Sequence, residues 1–127
     1  MGENTERKIG ENTGKWGEEQ ALVHLKANNY EILATNWRFK QREIDIIAQI
    51  DGVLVFVEVK TRTNEEFGEP ETSVSLKKQQ FIISAANHYI TEKNIDKEAR
   101  FDIISILFHQ GKMILKHIPD AFYPLAK

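Results

Sequence analysis

An Asp-Gly pair set between two apolar, β-branched runs, Glu43 to Ile50 and Val53 to Lys60, constrains this chain more than any other stretch. A pair flanked in this way is the strongest short-range signal for a hairpin closed by a two-residue turn. With Asp51-Gly52 as the loop, Ile50 faces Val53. Counting back then places Asp45 opposite Glu58 and Glu43 opposite Lys60, all on one face of the sheet. Directly opposed side chains have Cβ atoms roughly 4.5–5.5 Å apart, and opposed like charges destabilise a sheet. A carboxylate pair placed there calls for a cation. Val53, Val55, Val57 and Val59 line one face of the second strand, while Leu54 and Phe56 precede Glu58 and Lys60 on the other. A strand apolar on both faces is normally buried. Charges at its end are costly unless paired or metal-bound, which puts Glu58 and Lys60 at the mouth of a cleft. The competing reading is a ladder of surface ion pairs, Glu43 with Lys60 and Asp45 solvated.

The chain has 127 residues, 41% of them hydrophobic, which suits one compact domain. A formal charge of −2 and a pI near 6.1 do not resemble the basic footprint of most nucleic-acid binders. Any such function must rest on local patches. The absence of cysteine excludes a disulfide scaffold and cysteine-based zinc sites. Without a long apolar run or signal-peptide pattern, the expected setting is soluble and cytoplasmic, with no membrane partner.

Taken in order, residues 1–13 read as a mobile polar tail in which Gly-Glu-Asn-Thr occurs twice, and residues 14–127 as a single domain. A helix is expected from near Lys15 to Ala27, with Ala21, Leu22 and Leu25 as its apolar stripe. Glu18 begins that stripe and needs a partner, unless it only favours the positive end of the helix dipole. Asn28-Asn29 ends the helix. Tyr30 to Leu33 and Trp37 to Lys40 are extended and lead into the hairpin, with Arg38, Lys40 and Arg42 alternating on the way. By strict alternation these three lie on the sheet face opposite Asp45, unless the strand bends or bulges before Glu43, as phosphate contacts or as a solvated edge. Thr61 to Thr72 is a loop. A helix from about Ser73 to Glu92 follows, with Ile82, Ala85, Ala86 and Tyr89 buried. Lys78 begins its stripe with Gln79 beside it. Arg100 to Phe108 and Met113 to Ile118 form two further strands around His109 to Lys112, and Arg100 and Asp102 are placed for a supporting polar contact. The order is αββββαββ, or αβββαββ if the Tyr30 and Trp37 segments are one bent strand. Either gives an α/β protein with a central mixed sheet flanked by helices.

Two carboxylates meeting across strands, without histidine or cysteine nearby, suit Mg²⁺ or Mn²⁺ more than zinc, and the Val59 carbonyl is a further oxygen donor. A cation there can polarise a phosphoryl oxygen and lower the pKa of a bound water, with Lys60 placed to orient the water or neutralise charge. His24, His88, His109 and His117 have no ligand spacing and are expected to pack or face solvent. There is no P-loop, dinucleotide fingerprint or nucleophile elbow.

Together, Glu43-x-Asp45 and Glu58-Val59-Lys60 resemble the bipartite signature of the PD-D/E-x-K nuclease superfamily. Gly14-x-x-Gly17-Glu18-x-x-Ala21, Tyr30, Asn36, Glu43 to Ala48, Phe56 to Lys60 with Arg62, Phe67-Gly68, Lys78-Gln79, Ala85-Ala86 and Arg100-Phe101-Asp102 resemble the YraN-type uncharacterised family. That family is in turn similar to archaeal Holliday junction resolvases. Ile44 stands where the superfamily name has proline, and Arg42 where glycine is expected. The resemblance implies a restriction-endonuclease-like fold and Mg²⁺- or Mn²⁺-dependent cleavage of DNA, branched or otherwise structured, by a symmetric homodimer. It implies Asp45, Glu58 and Val59 as metal ligands, Lys60 as the catalytic lysine and Glu18 as a further acidic residue. Glu43 and Gln79 support the site, while Arg62, Lys78, Arg38 and Lys40 face DNA. The alternative is a non-catalytic nucleic-acid-binding or scaffolding protein that keeps the fold.

Overall fold

The computed structural model describes residues 13–63 and 74–124. The expected tail up to residue 12 lies outside the described residues, as do residues 64–72 of the expected loop from Thr61 to Thr72; its first three residues instead continue β3 to Thr63, where they pair in parallel with β4. Seven elements follow one another: α1 (Thr13–Ala27), β1 (Glu31–Phe39), β2 (Arg42–Ile50), β3 (Val53–Thr63), α2 (Leu76–Glu92), β4 (Glu98–His109) and β5 (Lys112–Phe122). The order is αβββαββ.

The turn chemistry explains the hairpins. Asp51 and Gly52 have φ of 49° and 77°, and Gln110 and Gly111 have 52° and 74°. Two successive left-handed residues make the mirror-image turn whose twist matches a β-hairpin, with glycine carrying the second position. Ile50 pairs with Val53, as the Asp-Gly count requires. The five strands lie in chain order across one sheet. β3 and β4 run parallel with α2 as their crossover, and the remaining neighbours are antiparallel.

Both faces of the sheet are covered. Leu54 and Phe56 of β3 pack with Ile82, Ala85, Ala86 and Tyr89 of α2, whereas Val55 and Val57 pack with Ala21 and Leu25 of α1. The continuous apolar run in β3 is therefore read by two helices, one per face. Ser75 caps α2 by accepting the Lys78 N–H at 3.1 Å, which satisfies one of the donors a helix start leaves open. The layers and the mixed sheet are those of the restriction-endonuclease-like α/β arrangement.

β1 decides between the two orders in favour of αβββαββ: the Tyr30 and Trp37 segments are one bent strand, and Asn36 sits inside it with φ of 49°. Ala34, Trp37 and Phe39 all pack on the α2 side, which strict alternation forbids, and the left-handed residue resets the period. Asparagine is among the few residues besides glycine that tolerate this conformation. Among the described residues, no helix is long and apolar enough to cross a membrane.

Candidate functional site

The β2–β3 ladder runs from Ile50↔Val53 to Ile46↔Val57 and stops there. The next pair would have been Asp45 and Glu58. Instead the strands part, and Asp45 Oδ2 accepts the Val59 N–H at 2.8 Å. The carboxylate takes the place of a ladder carbonyl and so lies in the fork between the strands. Its neighbour there is Glu58, and the two acids are electrostatically coupled. Burial first, and then the Glu58 charge and side-chain contact, push the Asp45 carboxyl up to about 7. A buried pair of acids short of one positive charge behaves in this way.

Glu58 continues the Leu54–Phe56 face of β3 toward α2. There Lys78 Nζ stands 3.3 Å from Glu58 Oε2. Lys78, expected at the DNA surface or exposed, is therefore part of the carboxylate cluster. Gln79 does not touch the acids. Its side chain donates to the Val74 carbonyl at 3.1 Å and ties down the chain leading into the helix that carries Lys78. Lys60 lies two residues beyond Glu58 on the same face and is half-buried.

Glu18 approaches from the other layer. Asn36 Nδ2 donates to Glu18 Oε1 at 2.9 Å. Burial raises the Glu18 carboxyl above its usual range, with the Asp45 and Glu43 charges adding to it against the Asn36 hydrogen bond. The residue that fixes Glu18 is thus the left-handed Asn36, which carries the family resemblance but to which the sequence assigns no contact. The kink in β1 aims its amide at α1. Gly17 allows the close approach, because a Cβ there would overlap Thr61 Oγ1 and stand 3.1 Å from Thr61 Cβ.

Three expectations change. Glu43 is not held against Lys60, because β2–β3 pairing ends at Ile46; it pairs with Arg38 at 3.5 Å across β1–β2, with both side chains exposed. Arg62 is 8% exposed and donates to Ser105 Oγ at 3.5 Å, so it braces β3 on β4 instead of facing DNA. Arg38, Lys40 and Arg42 do not share one face either. Arg42 leans over the Phe81 ring of α2 at 5.7 Å, whereas Arg38 is held at Glu43. Lys40 remains at the surface, over the Phe39 ring at 5.2 Å.

A second polar cluster supports α1. Asp102, fully buried, accepts two hydrogen bonds from Arg100 at 2.8 and 2.9 Å, one from His117 at 2.7 Å and one from the Asp120 N–H at 2.9 Å. With His117 Nε2–H given to Asp102, its Nδ1 is left to accept His24 Nε2–H at 3.0 Å. The Arg100–Asp102 contact was expected. Its extension through two histidines to α1 was not, since residues 93 positions apart carry no local pattern.

The donor set of the first cluster fits a hard divalent ion. Asp45 and Glu58 offer carboxylate oxygens, the raised Asp45 signals missing positive charge, and the Lys78 ammonium already sits on Glu58. Among the described residues no three His, Cys, Asp or Glu side chains gather tightly enough to form an all-protein cage. Mg²⁺ commonly binds through one or two carboxylates and keeps waters or substrate phosphates in its remaining positions.

Comparison with known proteins bears on the whole arrangement. Residues 17–106 match the model of the uncharacterised protein family UPF0102. A UPF0102 protein of Flavobacterium psychrophilum is 44% identical over 110 residues, covering 87% of this chain and 92% of that protein. One of Flavobacterium johnsoniae is 45% identical over 114 residues, covering 87% and 93%. One of Bacteroides thetaiotaomicron is 42% identical over 111 residues, covering 87% and 92%.

Proposed function

The chain belongs to the uncharacterised protein family UPF0102, and from that premise we propose that it is a Mg²⁺- or Mn²⁺-dependent DNA endonuclease acting on structured or branched DNA. The observation that carries the proposal is the fork at Asp45 and Glu58. A fold that stops a ladder one pair early to bring two acids together, and leaves one with a carboxyl near neutrality, has spent stability on a charge cluster. Perturbed acids in a cleft are more often functional than decorative.

Asp45 and Glu58 would hold the ion, with Val59 as a backbone oxygen donor. When bound, the ion supplies Lewis-acid polarisation of a phosphoryl oxygen and a more acidic water. The Val59 N–H fixes the Asp45 carboxylate, so it cannot rotate away from the fork. Lys60 brings a positive charge to the same face as Glu58, where it neutralises charge developing on phosphorus oxygens or orients the attacking water. Lys78 holds Glu58 until substrate and ion arrive. Glu18, held by Asn36, brings a further carboxylate toward the fork from the α1 side. Two equivalent strands at a branch point would be served by a symmetric pair of chains, which sedimentation of the protein with and without four-way junction DNA tests.

The decisive experiment incubates the purified protein with supercoiled, single-stranded and four-way-junction DNA, in Mn²⁺ and in chelator. Metal-dependent cleavage that disappears in Asp45→Asn and Glu58→Gln, with DNA binding retained, is the expected outcome. Equal cleavage by both variants would end the assignment. Lys60→Ala should lower turnover more than Mn²⁺ affinity.

A further inference from the structure

At the end of β2 away from the Asp51-Gly52 turn, the α2 side of the sheet carries aromatic rings in mutual contact. Trp37 and Phe39 lie nearly parallel, 8° apart with centroids at 6.1 Å. Phe81 of α2 is 6.0 Å from Phe39, and the His88 ring is 5.0 Å from Phe39 and 6.1 Å from Trp37. Trp37, Phe39 and Phe81 are only partly covered. The groups over them are cations: Lys40 Nζ over Phe39 at 5.2 Å and the Arg42 guanidinium over Phe81 at 5.7 Å. A cation over a partly exposed ring is a weak contact, so an incoming base can displace it.

We infer that this corner is a stacking platform for an unpaired base of single-stranded or branched DNA, with Lys40 and Arg42 holding the flanking phosphates. Charge complementarity selects the occupant. Arg38 and Glu43 offset one another and Glu92 is held by His88, which leaves Lys40 and Arg42 as the cations beside the rings. Rings beside cations are the pattern by which proteins grip single strands, the rings taking base faces and the cations the backbone. Position links the platform to the fork. Arg42 pairs with Phe39 across β1–β2 and is three residues from Asp45 along β2, about 10 Å at ~3.3 Å per residue. A strand stacked here would pass its backbone along the Glu58 side. The inference rests on the nuclease reading for its substrate class, yet its test does not need cleavage.

Binding is measured in chelator with an oligothymidylate, an abasic oligonucleotide of equal length and a blunt duplex. Loss of the bases should weaken binding roughly tenfold or more, since stacking contributes about 1–3 kcal/mol per base. Phe39→Leu should bring the oligothymidylate down to the abasic level. Lys40→Ala with Arg42→Ala should weaken both oligonucleotides alike and flatten the salt dependence. His88→Ala, at an exposed position on α2, should cost about threefold and keeps the test valid if Phe39→Leu fails to fold. In a Trp16→Phe background, Trp37 is the only tryptophan, and its emission should quench with oligothymidylate but not with the abasic strand. Equal affinity for the base-bearing and abasic strands, or unchanged base preference in Phe39→Leu or His88→Ala, overturns the platform even if Mn²⁺-dependent cleavage is found. Base-dependent binding without any cleavage would leave the platform standing and remove the nuclease reading alone.

Discussion

Asp45 meets two opposed demands, because the same burial that positions its carboxylate for an ion penalises the charge when no ion is there. Its carboxyl titrates near 7 in place of the usual acidic range, a raised value in the fold. Stability from the protonated form is therefore fully present below the unfolded value of about 3.9 and is lost as pH rises toward 7. Asp45→Asn keeps an acceptor for the Val59 N–H and deletes the charge facing Glu58. In chelator at pH 8 the variant should be more stable by about 1–2 kcal/mol, or roughly 3–8 °C in Tm, with the gain vanishing near pH 4. A lower Tm at pH 8 would mean that Asp45 is satisfied without a cation. That Asp45 and Glu58 come near each other was legible, because an Asp-Gly turn fixes register as far as Ile46 and Val57; the fork that replaces their expected cross-strand pair was not. Nor was the Asn36–Glu18 contact, because one left-handed residue breaks the period-two alternation of a strand. Glu43 was misplaced for a related reason: counting along a hairpin assumes that the ladder continues, and here it ends at Ile46.

The elements themselves were readable wherever their signals were local. Helix α1 follows from its apolar stripe, both tight turns from their turn residues, and β3 from its unbroken apolar run. How closely α1 lies on β3 depends on a contact between Gly17 and Thr61 that no periodicity encodes. That contact sets where Glu18 stands relative to the fork. Gly17→Ala puts a methyl group onto Thr61 Oγ1, and overpacking of this kind costs about 1–3 kcal/mol. The variant should melt lower and lose cleavage through displacement of Glu18. Adding Thr61→Ala, which removes the overlapped oxygen, should restore most of both. If Gly17→Ala alone is as stable and as active as the parent, α1 has slack that the fold does not display.

Among the described residues, titrations of opposite sign act on the metal-free fold, one set lost on acidification and the other, at the fork, lost as pH rises. His24 is lowered by burial and then by the His117 charge, so its contribution is present above about 6.5 and fades as pH falls through its depressed value. For Asp102, burial would raise the carboxyl, but hydrogen bonds from His117, Arg100 and the Asp120 N–H outweigh it and hold the group below its usual range. That contribution too is lost only on acidification, whereas the Asp45 contribution is lost on raising the pH. A divalent ion acts on the second alone. It binds the ionised carboxylate, so binding competes with a proton below about 7 and meets no such competition above it. Millimolar Mn²⁺ should therefore raise Tm more at pH 8 than at pH 5.5, because a ligand that binds only the folded state stabilises it by mass action. His24→Gln should change the acid arm of the stability profile and leave the Mn²⁺ increment at pH 8 as it was, since that polar cluster is built from α1, β4 and β5 and not from the fork. Asp45→Asn should do the reverse, abolishing the increment while leaving the acid arm in place. A Mn²⁺ increment that is equal at the two pH values, or that survives Asp45→Asn, would locate the ion away from the carboxylates around which β2 and β3 divide.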